Sequence, residues 1–301
     1  MTLSAIQGYI ALVEYLVMNC FLFGAIFLAG SVLRSHYNSK SMYSYMLTTY
    51  LTAILVQSLI SLPNALYMTV SWNVVPAYNG VVIFYTGICT HIAIIQFETI
   101  TFFLIAERLM ILHYPFWFTP ARQRMNLALA FIVGPMIWGP MIPLALQYPI
   151  ECQTQSACWA INCSVENFRH GYFIYAKVTL TSINVFMGFV FGISLRRYQN
   201  AVAALNGTAS SALSRKQKLS HKIVLYSFIQ NIVLDVLPST VDLILNNVTD
   251  LTLSHHIGPY SRLGSFCGVF FSTCIYFKML QRSHNTSTTK HVIGTRNPEN
   301  N

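Results

Sequence analysis

Long apolar stretches alternate with short polar ones along this 301-residue chain, and the alternation predicts an architecture before any single residue is weighed. Seven apolar runs stand out: Gly8–Leu33, Tyr43–Val70, Val81–Leu112, Met125–Pro149, Tyr172–Leu195, Ile223–Asn246 and Ile257–Phe277. Each holds about 20 residues or more, the length at which a helix crosses a hydrocarbon core of roughly 30 Å. Within such a core the backbone must satisfy its own N–H and C=O groups, which favours helix over loop or open sheet. The pattern therefore predicts an all-α membrane protein, a bundle of seven transmembrane helices. Pro135, Pro140 and Pro143 predict a kink in the fourth helix, tolerable where neighbouring helices support it. The connections are short and polar, so residues 1–282 are expected to form one domain, followed by a disordered tail over 283–301 rich in Thr, Asn and Ser. The opening MTLSAIQGYIALVEYL has no basic leader and carries Glu14 inside its apolar run, so it reads as a retained first span and not as a cleaved signal.

Composition strengthens this picture: 54% of residues are hydrophobic and only 9% charged, against roughly 25% charged in soluble domains. The net charge of +9 has a topological origin. All but three of the 18 Lys and Arg fall in or beside the first, third and fifth connections and the tail; the exceptions are Arg169, Lys177 and Arg262. Basic residues gather on the cytoplasmic side of membrane proteins, which places the N-terminus outside and the C-terminus in the cytoplasm. Nucleic-acid binding would need basic residues interleaved with aromatics on a soluble face, and the chain has none. On this topology the glycosylation triplets at Asn162 and Asn247 face outward, whereas those at Asn206 and Asn285 face inward, so only the first two are candidates.

Ionisable residues within spans are rare and mark functional candidates. Glu14, Lys177, Asp242 and Arg262 each lie one to two turns below the outer surface. Asp242 and Arg262, at similar depth on consecutive helices, could pair with each other or contact a ligand. His91, Glu98 and Asp235 lie deeper. Seven residues separate His91 from Glu98, nearly two turns, so both project from one face together with Ile94, Ile95 and Phe102. A mostly apolar wall with a few placed polar groups suits a small-molecule pocket; polar glue between helices is the alternative. Asp235, one turn before Pro238, could belong to a hinge instead.

The stretch AERLMILHYPFWF, at the inner end of the third helix, sets Glu107 beside Arg108 and closes with Pro115. Snorkelling of the arginine to the interface would explain the pair in structural terms. The pattern also resembles the acid–arginine switch of rhodopsin-like G-protein-coupled receptors. Taken with SACWAINCSVENFRHGYF in the second outer loop, LPST on the sixth helix and IGPYSRLGSF opening the seventh, it resembles the nematode chemoreceptors of serpentine receptor class BC. That resemblance implies a plasma-membrane receptor of a sensory neuron that detects an odorant or pheromone-like small molecule and signals through a heterotrimeric G protein. It also implies a latch made by Glu107 and Arg108, with Pro115, Pro238 and Tyr276 at the moving, G-protein-coupling end. His91, Glu98, Lys177, Asp235, Asp242 and Arg262 are then the pocket candidates. The basic inner loop RRYQNAVAALNGTASSALSRKQKLSHK would be where the G protein docks.

Departures from rhodopsin-like receptors are specific. The second helix carries Gln57 and no aspartate, STCIY at Ser272–Tyr276 shares only its tyrosine with Asn-Pro-x-x-Tyr, and no Trp stands two residues before Pro238. Ile257–Phe277 contains no lysine, which excludes a retinal Schiff base there. In many rhodopsin-like receptors the second outer loop is tied to the third helix by a disulfide. Here Cys89 lies about 13 Å below that helix's outer end, so a local Cys158–Cys163 bridge is expected instead, with Cys152 spare. No four-ligand zinc spacing occurs, and neither metal nor cofactor is expected. The rival reading is a transporter or channel, against which the absence of internal repeats argues. An intramembrane enzyme is disfavoured because His91 is the one histidine within a span and no Gly-x-Ser-x-Gly stretch is present.

Overall fold

The computed structural model describes residues 3–39, 45–73, 79–114, 119–146, 172–205, 225–226, 228–230, 232–249 and 259–293, and every regular element among them is helical. In chain order these are α1 (Leu3–Ser39), α2 (Tyr45–Val70), α3 (Gly80–His113), α4 (Pro120–Trp138), α5 (Met141–Leu146) and α6 (Tyr172–Leu205). A π-helical turn over Ile232–Val236 then runs directly into α7 (Leu237–Thr249), and α8 (Tyr260–Ile293) follows. Five segments are long and apolar enough to cross a membrane: Ile6–Ser35, Tyr45–Val70, Gly80–His113, Pro120–Pro143 and Tyr175–Ala201. The sixth predicted run contains a shorter apolar stretch, Phe228–Val241.

Local chemistry explains several of the boundaries. Asn79 caps α3: its Oδ1 accepts from the N–H groups of Val81 (3.0 Å) and Val82 (3.4 Å), donors a helix start leaves unsatisfied. Pro120 opens α4 at a position whose N–H would have no intrahelical partner, so α4 begins five residues before the apolar run does. The expected kink of the fourth span is a full break. α4 stops at Trp138, Gly139 donates back to Pro135 O at 2.7 Å, and α5 restarts at Met141. At the far end, α8 continues to Ile293, so residues 283–293 are helical where an unstructured tail was expected from 283 onward. The apolar periodicity ends near Phe277, but helical hydrogen bonding continues past it. Helix can outlast an apolar face because its backbone bonds are made within the segment.

The helices close into a ring. α1 packs on α2 and α8, α2 on α3, α3 on α4 and α6, and the π turn joins α6 to α8. Among the described residues three apolar clusters fill the interior, one of them (Ile105, Leu112, Phe191 and Leu195) between α3 and α6. Tyr15, Met18, Met68, Ile83 and Phe266 pack near the end that carries the N-terminus, and Tyr50, Ile54, Phe97, Leu104 and Tyr276 pack toward the other. Large apolar side chains also cover the outside, with Phe27 and Met136 each 72% exposed. Meanwhile Gln57, Asn64, Glu98, Asn184 and Asp235 are buried. Polar groups inward and apolar groups outward is the arrangement a lipid surround demands. Threonine hydroxyls within the spans are satisfied locally, as where Thr99 donates to Ile95 O (2.9 Å) and Thr181 to Lys177 O (2.8 Å).

One close approach bears on the site. A side-chain carbon at Gly264 of α8 would collide with the carbonyl of Leu234, so α8 can lie against the π turn only because this residue is glycine.

Candidate functional site

α3 carries polar groups at two levels. At its C-terminal end the Glu107 carboxyl is fully buried, and Arg108 Nη2 lies 3.9 Å from its Oε1. Neighbouring residues on a helix do not face one another, so this contact is at the outer limit of an ion pair and constrains the arginine weakly. Tyr276 of α8 is buried toward the same end, its ring 5.6 Å from that of Tyr50. The predicted trio of Glu107, Arg108 and Tyr276 thus converges at one end of the bundle. Pro115 lies outside the described residues.

Two and a half turns up α3, four elements meet at a buried polar node. Lys177 of α6 contacts Asp235 of the π turn at 2.8 Å and donates to Ser265 of α8 at 3.0 Å. Ser265 donates in turn to Asp235 at 2.5 Å. Beside them Asn184 of α6 donates to the Glu98 carboxylate at 2.6 Å and to the Glu98 backbone carbonyl at 3.0 Å. Every one of these side chains is at least nine-tenths buried. Charges in such a setting hold only when paired and hydrogen-bonded, since each ion has given up several kcal/mol of hydration. The π turn places Asp235 one turn before Pro238, where the backbone ladder is already weakened twice.

A second cluster lies on the N-terminal side of this node. Arg262 of α8 donates from Nη2 to His91 Nε2 at 2.8 Å and from Nη1 to Asn64 Oδ1 at 3.4 Å. Asn64 passes the contact on to Thr86 at 2.8 Å. Arginine has no lone pair to accept with, so His91 Nε2 must be the acceptor. His91 and Glu98, predicted on one face of α3, are both buried there but serve different partners: His91 turns to α8, Glu98 to α6.

Against the node is a cavity of about 10 Å³, lined by Gln57, Glu98, Gln230, Asp235, Ser265 and Ser272 among others. That is about the room one ordered water needs. Gln57 Oε1, buried and without a hydrogen-bond partner among the described residues, is a polar group such a water would satisfy.

Sequence reasoning placed Lys177 near the surface with Glu14, Asp242 and Arg262, and Asp235 in a deeper layer; the structure joins Lys177 to Asp235. Arg262, expected beside Asp242, reaches α2 and α3; the Asp242 side chain lies outside the described residues. Glu14 stays apart, its Oε2 buried with no hydrogen bond among the described residues. Asn184, Asn64 and Ser265 were not anticipated. A signal was present for one of them, because Lys177, Thr181 and Asn184 are spaced at four and three residues on a single face of an apolar run. Cys20, Cys89, Cys267 and Cys274 are free thiols in the helices. Cys158, Cys163 and Asn162 lie outside the described residues, as does the side chain of Asn247.

A lipid-facing apolar exterior, a polar interior tying α3, α6, the π turn and α8, and an acid–arginine pair at one end mark a multi-pass helical membrane protein. The chain belongs to the family described as serpentine-type 7TM GPCR chemoreceptor Srbc, whose sequence profile matches residues 1–284. This confirms the resemblance carried by the quoted motifs, and it is a chemoreceptor family, not an enzyme family. Among curated proteins nothing matches the chain.

Proposed function

We propose that this protein is a G-protein-coupled chemosensory receptor in the plasma membrane of a sensory neuron, with its N-terminus outside. It binds a small odorant or pheromone-like molecule among the outer halves of the third, fifth, sixth and seventh spans. The observation that carries this reading is the buried node of Lys177, Asp235 and Ser265, which pins the weakened turn before Pro238 to the neighbouring spans. A ligand whose polar groups compete for this node changes its pairing and frees the sixth span to pivot. α3 links the two levels: Glu98 sits in the node and Glu107 at the inner end of the same rigid helix. As the inner ends separate, Arg108 leaves Glu107 and turns toward the groove that receives the G protein, beside the basic loop between the fifth and sixth spans. A Cys158–Cys163 bridge and glycans at Asn162 and Asn247 complete the outer face in this reading.

The test is signalling in a reporter cell carrying a promiscuous G protein, screened with volatile and water-soluble compounds. The expected result is a dose-dependent response that Arg108→Ala abolishes at equal surface level. A full response from Arg108→Ala would overturn the latch, and a current or uptake signal independent of G protein would overturn the receptor reading.

A further inference from the structure

We propose that Arg262 is the anion-recognition residue of the ligand site, receiving a carboxylate carried by the molecule the receptor detects. The inference rests on the receptor reading and names the ligand chemistry that reading leaves open.

Arg262 is 5% exposed, the third residue of α8, close to the end of the bundle that carries the N-terminus. The guanidinium stays charged in any protein environment. Among the described residues both partners of its charged head, His91 Nε2 and Asn64 Oδ1, are neutral acceptors. The ion pairs among the described residues are Glu107–Arg108 and Lys177–Asp235, and Arg262 belongs to neither. A charge buried in a membrane bundle without a counter-charge costs several kcal/mol, so a helix retains one where an anion arrives to pair with it.

The charges nearby agree. Lys177 and Arg262 are both buried cations of the bundle interior, and the Arg262 guanidinium lies 2.8 Å from the His91 ring. Asp235 is already committed to Lys177 and Ser265, and Glu98 to Asn184. The region around His91 therefore favours negative charge. The two hydrogen bonds to His91 and Asn64 fix the plane of the guanidinium, whose forked N–H groups match the two oxygens of a carboxylate. The aliphatic remainder of such a ligand would rest on the neighbouring apolar walls, which include Ile94 and Phe266.

The experiment uses the purified full-length protein in lipid nanodiscs and follows thermal unfolding at fixed pH. The probes are butyrate, hexanoate and octanoate, each against its methyl ester and the primary alcohol of the same chain length. Acids are expected to stabilise the protein saturably, binding roughly ten- to a hundredfold more tightly than the matched esters, as a charge-assisted hydrogen bond implies. Arg262→Lys should keep part of that preference and Arg262→Gln should lose it. The acid–ester comparison on the unaltered protein needs no variant, so misfolding of Arg262→Gln leaves the test intact. Equal binding of acids and esters would overturn the proposal, as would a preference that survives Arg262→Gln. So would a chloride titration that alone reproduces the shift, or an acid preference that appears only in Asp242→Asn, which would make Asp242 the resident counter-ion. Binding is read here without signalling. Acid binding with no G-protein response would therefore count against the receptor reading alone, and a response to uncharged ligands alone would count against the site.

Discussion

At the scale of single residues, the buried Lys177–Asp235 contact makes the sharpest demand. Removing one partner strands the other charge among apolar helices, a loss of about 3–5 kcal/mol. Lys177→Met and Asp235→Leu should each lower the thermal midpoint and the surface level sharply. The double variant should recover a large part of both, because it leaves neither charge unpaired. Thermal unfolding of the detergent-solubilised variants checks this, and equal losses in the single and double variants would show the pair is not coupled. Glu98 offers a graded companion test. Glu98→Gln keeps both acceptors of the Asn184 amide and should be mild, whereas Glu98→Leu leaves it only the backbone carbonyl and strands one buried N–H, a loss of about 1–3 kcal/mol. Much of this chemistry was legible as residue identity, since Lys177, Asp235, Glu98, His91 and Arg262 all stand out against apolar runs. Their pairing was not, because the partners sit on different spans, and depth along a helix does not say which way a long side chain turns.

At the scale of elements, the contact between α8 and the π turn is the point of least tolerance. Gly264→Ala places a methyl group against the Leu234 carbonyl, so α8 or the π turn must shift. Overpacking of this kind is expected to cost about 1–3 kcal/mol. It should also alter basal signalling, since the displaced turn holds Asp235. Gly268→Ala, one turn further along α8, meets only ordinary contacts and serves as the control. Reporter activity without ligand, normalised to surface level, reads the difference; identical behaviour of the two variants would refute a special role for position 264. Element existence was plain in the sequence because runs of apolar residues persist for five turns or more. Details that depend on backbone bonding were not. The π turn has no compositional mark, and the continuation of α8 to Ile293 runs through residues whose polarity reads as loop.

For the whole molecule the testable matter is orientation. The distribution of Lys and Arg predicts that an epitope before Leu3 stains intact cells, whereas one after Ile293 stains only after permeabilisation. The reverse pattern would invert the proposed ligand and G-protein faces together. A non-reduced digest of the intact protein should recover Cys158 and Cys163 in one linked peptide pair, and finding both as free thiols would rule the bridge out. At this scale the ring of helices explains why an almost featureless apolar sequence can carry a specific site. Lipid accepts any apolar residue on the outside, so the few polar residues must meet one another inside, and the ring decides where.

The class of protein was determined by the sequence alone, because crossing a bilayer imposes a length, a polarity and a self-satisfied backbone that leave a visible period in the chain. The family was readable from short ordered stretches such as AERLMILHYPFWF, whose residues act close to where they stand. Only the tertiary structure decided that Lys177 meets Asp235 and Ser265, that His91 serves Arg262 and not Glu98's partners, and that the cavity lined by Gln57, Glu98 and Asp235 has room for about one water. Those facts depend on how helices rotate about their axes and how closely they approach. Packing of every neighbour at once sets both, and no local stretch of sequence encodes either.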